Sequence, residues 1–111
     1  MNITQHQDGA VLRVEVSGRL DSNTAQTLDD ALAGDGVRSH PALLLDLADV
    51  QYVSSAGLRV LLKAAKAARA GKTKLALSGL TPQVTEVFEV SGFSSIFDIH
   101  ATARDAVAAL Q

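Results

Sequence analysis

Residues Ala42 to Leu47 form a nearly continuous apolar run, broken only by Asp46 and preceded by Pro41. A short run of this kind, without alternation, is the pattern of a strand covered on both of its faces. It therefore predicts a central strand of a sheet that has helices to cover it. The segment that follows supplies one: from Ser54 or Ser55 to Ala70 the chain is rich in Leu, Ala, Lys and Arg, all strong helix formers, and the run stops at Gly71.

The rest of the chain fits around this pair. Residues Ala10 to Val16 alternate, with Leu12, Val14 and Val16 on one face and Arg13 and Glu15 on the other, which predicts a half-buried strand. Asn2 to His6 is expected to pair with it through a turn at Asp8-Gly9. Asp21 or Ser22 is placed to cap a helix carrying Ala25, Leu28, Ala31 and Leu32 inward. The stretch Gly34 to Pro41 breaks that pattern, and Gly34-Asp35-Gly36 reads as a connection after a helix. Thr73 to Ser78 predicts a further strand, and Thr81-Pro82 a capped helix through Val84, Val87 and Phe88 to Ser91-Gly92. Ser95 to Ile99 predicts a last strand, and Thr102 opens a closing helix with Ala106, Val107 and Leu110 inward. Strands alternate with helices after the opening hairpin, so the fold class is α/β, with a mixed, mainly parallel sheet of about five strands and about four helices. At 111 residues the chain is expected to be a single domain spanning 1–111.

Composition removes several functions. A net charge of −2 gives no basic field for nucleic acid, and one Tyr, three Phe and no Trp offer few rings for bases to stack on. The absence of Cys excludes disulfides, zinc–thiolate sites and thiol catalysis, and is compatible with a reducing cytosol. No run approaches the ~20 apolar residues of a membrane span, and the polar start of the chain lacks the pattern of a secretory signal. The expected location is the cytoplasm, without direct membrane insertion.

The stretch from Leu45 to Leu58 joins the central strand to the start of the long helix, and it places two hydroxyls, Ser54 and Ser55, at that start. A helix N-terminus carries unpaired amide donors and about half a positive charge, so a phosphate is stabilised there. Ala56 and Gly57 leave such a hydroxyl approachable. The plain alternative is that Ser54 or Ser55 caps the helix, the commonest use of Ser at a boundary of this type, and capping does not exclude phosphorylation.

The run Tyr52-Val53-Ser54-Ser55-Ala56-Gly57-Leu58-Arg59-Val60-Leu61-Leu62 resembles the signature of the STAS family, the domain shared by anti-sigma factor antagonists and the cytoplasmic parts of sulfate transporters. The resemblance covers almost the whole chain. Gly18-Arg19-Leu20-Asp21 with Thr24-Ala25 is similar to the family's first loop and helix start, Asp46-Leu47 with Asp49-Val50 to its central strand end, and Pro82, Val87, Phe88 and Ser91-Gly92-Phe93 to its third helix and the turn after it. The common pattern is Asp-Ser-Ser/Thr-Gly-Leu, in which the Ser after the Asp is phosphorylated by a partner that is both anti-sigma factor and kinase. Alignment on Gly57-Leu58 puts Ser55 at the phosphorylated position, Ser54 at the Asp and Ala56 at the next hydroxyl. The resemblance thus implies partner switching: the unphosphorylated protein binds an ATP-binding anti-sigma factor/serine kinase, phosphorylation of Ser55 releases it, and a serine phosphatase resets it. Ser54 stands as a second candidate acceptor. Asp21 is implied to line the contact surface with Ser54, Ser55, Ala56 and Gly57.

On the long helix, Arg59, Lys63 and Lys66 fall in one stripe, with Leu58, Leu61, Leu62 and Ala65 toward the sheet and Val60, Ala64 and Ala67 beside the stripe. This low basic surface suits docking to an acidic partner, and reads equally as the solvated face of a Lys-rich helix. Enzymatic readings fare worse. Val53-Ser54-Ser55-Ala56-Gly57 lacks the leading Gly of a nucleophile elbow, and His6, His40 and His100 show no triad arrangement. Asp21, Asp46 and Asp49 suit turns and caps better than a metal-dependent phosphotransfer site. The chain is expected to catalyse nothing and to hold no cofactor or metal, ATP and magnesium belonging to the kinase. A non-phosphorylated STAS accessory or regulatory subunit of a membrane transport system is the alternative within the same family.

Overall fold

The computed structural model describes residues 1–34, 37 and 39–111, so Asp35 and Gly36 of the expected connection lie outside the described residues. Strands β1 (Asn2–Asp8), β2 (Val11–Leu20), β3 (Ala42–Val53), β4 (Lys74–Ser78) and β5 (Asp98–His100) form one sheet in sequence order. Among the described residues only the β1–β2 pair is antiparallel. The helices are α1 (Ala25–Leu32), α2 (Ser55–Ala70), α3 (Pro82–Val90) and α4 (Ala103–Leu110), with a short 3₁₀ turn at Phe93–Ser95. This is the mixed, mainly parallel α/β architecture that the sequence pattern predicts.

Sequential parallel strands joined by crossovers of one hand place every crossover helix on the same face of the sheet. Accordingly, Leu28 of α1, Leu58 and Leu61 of α2, and Val84 and Phe88 of α3 share one large core with Leu12, Val14, Val16, Leu43, Leu45, Leu47 and Leu77. The closing helix α4 covers the opposite face, where Ala106 and Leu110 meet Val11, Ala42, Leu44 and Ala76. The apolar run of β3 thus divides by parity: Leu43, Leu45 and Leu47 enter the large core, and Ala42 and Leu44 the small one.

Several boundaries differ from the sequence reading, the first being that β2 does not end at Val16 but runs on through Ser17 and Gly18 to Leu20. Strand β3 does not end at Leu47 but continues to Val53, and its register against β2 shifts twice, between Glu15/Ser17 and Gly18/Arg19. At each shift β3 holds one residue more than β2, as a β-bulge does, so Leu47, Val50 and Val53 enter the core at a spacing of three rather than two. The strand before α4 is Asp98–His100 rather than Ser95–Ile99, because residues Phe93–Ser95 form the 3₁₀ turn. Helix α1 begins at Ala25 and its N-cap Thr24 makes no side-chain capping bond; the expected contribution of Asp21 comes from its backbone carbonyl, which accepts from the Ala25 amide at 2.8 Å.

Candidate functional site

The two bulges carry β3 and β2 past the body of the sheet to the edge from which α1 and α2 start. There the loop after β2 and the first turn of α2 are tied together: the Ser54 amide donates to the Leu20 carbonyl at 2.8 Å. The contact is close because Gly57 is buried against Leu20. A Cβ at Gly57 would lie 2.6 Å from Leu20 Cγ and 2.9 Å from its carbonyl oxygen. Gly57, expected on the partner surface, therefore does not face outward; it seats the helix on β2 from below.

The two serines divide their tasks. Ser54 is the N-cap of α2, with extended backbone, and its Oγ accepts from the Gly57 amide at 3.3 Å. Ser55 is the first helical residue and its side chain is exposed. The capping alternative is thus met by Ser54, which leaves the Ser55 hydroxyl open to solvent beside the helix's unpaired amides. Ala56 is half-buried.

Asp21 lies one residue beyond Leu20, and Ser55 one beyond Ser54, so the Ser54–Leu20 bond places the loop of Asp21 against the start of α2. The Asp21 carboxylate accepts from the Asn23 amide at 2.9 Å and from the Thr24 hydroxyl at 3.3 Å. Its backbone carbonyl accepts from the Thr24 and Ala25 amides, so Asp21 shapes the turn that leads into α1. The Asn23 amide bond, and to a smaller extent the bonds from Thr24 and the charge of Arg19, hold its carboxyl below the usual carboxylate range against a partial opposing effect of burial. Asp21 is therefore ionised at any physiological pH.

Along α2, Arg59 and Lys66 are exposed, whereas Val60 is half-buried and packs against the core. Lys63 is exposed but engaged: its Nζ lies 3.0 Å from Asp29 Oδ2 on α1. The basic stripe exists, with its middle member joined to the neighbouring helix. Among the described residues no three His, Asp or Glu side chains form a group that could hold a metal ion. Among the described residues no helix is long and apolar enough to cross a membrane.

Two residues of the site were not singled out by the sequence reading. The guanidinium of Arg19 lies 4.3 Å from the centroid of the Tyr52 ring, and its Nε is 3.7 Å from Asp21 Oδ2. The second bulge puts Arg19 opposite Tyr52, a pairing that their distance along the chain conceals.

Comparison with known proteins bears on the family and the fold. The STAS domain family matches residues 2–106. The chain belongs to the STAS family. Among its STAS relatives, a protein of Bordetella bronchiseptica named as an anti-sigma factor antagonist, BtrV, is 40% identical over 109 residues, covering 98% of this chain and 93% of the relative. The anti-sigma-B factor antagonist of Listeria monocytogenes is 33% identical over 102 residues, covering 89% and 90%. The crystal structure of an anti-sigma factor antagonist from Mycobacterium paratuberculosis superposes with a TM-score of 0.88 at 27% identity, covering 98% of this chain and 92% of that one. These STAS proteins are regulators by name, and they align with this chain through both the loop of Asp21 and the start of α2.

Proposed function

We propose that this chain is an anti-sigma factor antagonist that works by partner switching, with Ser55 as its phosphoryl acceptor. The observation that carries the reading is the division of labour at the start of α2: Ser54 is used as the cap, and Ser55 is exposed on the first helical turn. Unphosphorylated, the protein binds an anti-sigma factor through the loop of Asp21, the first turn of α2 and the exposed side chains of Arg59 and Lys66. The anti-sigma factor then frees its client.

The partner is also a serine kinase and supplies ATP and magnesium. In the transfer, Ser55 Oγ forms a bond to the γ-phosphorus of ATP, the bond from that phosphorus to the bridging oxygen breaks, ADP leaves with that oxygen, and the hydroxyl proton passes to a base on the kinase. The product adds about −1.5 to −2 charges at a surface fitted to the neutral hydroxyl. The N-terminal amides of α2 hold that charge without disturbing the fold. Together with the ionised carboxylate of Asp21, the phosphate turns negative charge toward an acidic partner surface, and the complex separates. Water attacks the phosphoserine in the site of a serine phosphatase, which returns the hydroxyl and inorganic phosphate. The chain itself catalyses nothing, and its setting is the cytoplasm.

The test is to isolate the protein with its tightest cellular partner, add ATP and magnesium, and locate phosphate by mass spectrometry. Phosphate on Ser55 with loss of the complex is the expected result. Ser55→Ala should remain in the complex and Ser55→Asp should bind weakly. A stable complex without phosphate on Ser54 or Ser55 would sink the switch and favour a constitutive subunit of a transport system.

A further inference from the structure

The Arg19–Tyr52 pair is an unusual thing to leave at a surface. Tyr52 is one of the few large apolar side chains exposed among the described residues, at 42%, and Arg19 is 64% exposed, yet the guanidinium carbon is held over the ring, 4.3 Å from its centroid. Three features fix the guanidinium. Its plane is attracted by the Tyr52 ring. Its Nε edge is turned to Asp21, whose own carboxylate is anchored by Asn23 and Thr24. Its backbone is set by the bulge at Gly18/Arg19, where Gly18 has φ of +106°, a conformation that disfavours any side chain. Bulges beside functional sites commonly re-aim a side chain in this way. Among the described residues, the two terminal nitrogens of Arg19 have no hydrogen-bond partner.

We propose that Arg19, stacked on Tyr52 and steadied by Asp21, is a specificity-determining anchor that takes a carboxylate of the partner protein. The inference rests on the proposed function, since the pair adjoins the Ser54–Leu20 junction and enlarges the same contact surface. An Arg fork suits a carboxylate because two parallel N–H donors meet two oxygens, a match that a Lys ammonium does not make. Ordinarily a long Arg side chain loses rotamer freedom when it binds, and here the stack and the Asp21 contact have already restricted it. Tyr and Arg at the centre of a contact are also the residue types that most often dominate binding. With Arg59 and Lys66 exposed on α2, the cationic side chains present a positive field to an acidic partner surface. An anti-sigma factor offering a basic residue opposite Arg19 would be rejected.

The experiment measures the affinity of the purified, unphosphorylated chain for the anti-sigma factor recovered with it, by titration calorimetry, for wild type, Arg19→Ala, Arg19→Lys, Tyr52→Phe and Tyr52→Ala. Thermal melts of each variant establish that it is folded. Expected are a loss of about tenfold or more for Arg19→Ala, little recovery with Arg19→Lys, near wild-type binding for Tyr52→Phe and an intermediate loss for Tyr52→Ala. Charge reversal of single surface carboxylates on the partner should lose binding to wild type and regain it with Arg19→Glu at one position. Phosphorylation of Ser55 is followed in parallel at saturating partner. If wild type binds and is phosphorylated on Ser55 while Arg19→Ala binds equally well, the anchor is wrong and the switch stands. If wild type binds no ATP-hydrolysing partner, the function fails, and the anchor with it. Full recovery by Arg19→Lys would reduce Arg19 to a charge and overturn the fork.

Discussion

The Ser54 amide donates to the Leu20 carbonyl at 2.8 Å, which makes the end of β2 and the start of α2 a single rigid corner. Leu20 is fully buried and Gly57 packs directly on it, so the corner is built on the core rather than on mobile loops. On this base Ser55 is exposed, Asp21 is ionised, and Arg19 is stacked on Tyr52. A site whose groups are already fixed loses little entropy when a partner arrives, and a phosphate added to it changes charge without changing shape.

Gly57→Ala tests the corner directly. The new methyl would meet Leu20 at distances that real Cβ atoms do not adopt, against both its side chain and its carbonyl oxygen. Overpacking of this type costs typically about 1–3 kcal/mol. Urea unfolding should show a lower midpoint with an unchanged slope, and binding to the anti-sigma factor should fall as α2 shifts away from β2.

The two serines should separate in stability as they do in geometry. Ser54→Ala removes the bond to the Gly57 amide and should cost about 1 kcal/mol, the usual loss for an N-cap. Ser55→Ala, at an exposed position, should stay within about 0.5 kcal/mol of wild type. Thermal or urea unfolding of both variants reads the difference. Equal losses would mean that the capping task is shared.

Much of this was legible in the sequence, and the parts that were not have identifiable causes. The run at Ala42 to Leu47 announced a two-sided strand, and Leu43 and Leu44 indeed serve opposite cores. Thr81 and Thr102 announced caps, and each hydroxyl accepts an amide hydrogen bond three residues on. The far half of β3 was hidden because two bulges turn the inward spacing of Leu47, Val50 and Val53 from two to three, which matches no simple strand pattern. The burial of Gly57 is invisible in the sequence, where nothing at its position speaks of Leu20, to which only the fold brings it. Lys63 looked free for the same reason, its partner Asp29 being 34 residues away.

That ion pair makes Lys63 and Lys66 unequal. Lys63 and Asp29 bridge α2 and α1 at the surface, where such pairs contribute about 0–1 kcal/mol. Lys63→Ala should therefore lower stability slightly, more at low salt than at high, whereas Lys66→Ala should leave it unchanged. In association kinetics the order should reverse: loss of Lys66, which has no ion-pair partner among the described residues, should slow binding to an acidic partner more than loss of Lys63. Stopped-flow association at two ionic strengths would decide, and equal slowing would mean that the bridge to Asp29 opens on binding.

Asp21 gives the corner a dependence on pH whose sign follows from its hydrogen bonds. The Asn23 amide and the Thr24 hydroxyl favour the ionised carboxylate, so its pKa in the folded protein lies below the usual value of 3.8. A group of this kind contributes stability that is fully present above its unfolded pKa and is lost as the pH falls through the folded one. Wild type should thus be more stable than Asp21→Asn near neutrality, because the amide oxygen can still accept a hydrogen bond but carries no charge toward Asn23, Thr24 or Arg19. The gap should hold down to about pH 4 and close below it, once the carboxyl is protonated in folded and unfolded chains alike. Unfolding of both proteins across that range gives the curve, and the carbon resonance of the Asp21 carboxyl gives the pKa itself. A gap that widened in acid would mean that the protonated carboxyl is the form the loop prefers, and that the turn into α1 is held by the Asp21 backbone carbonyl alone.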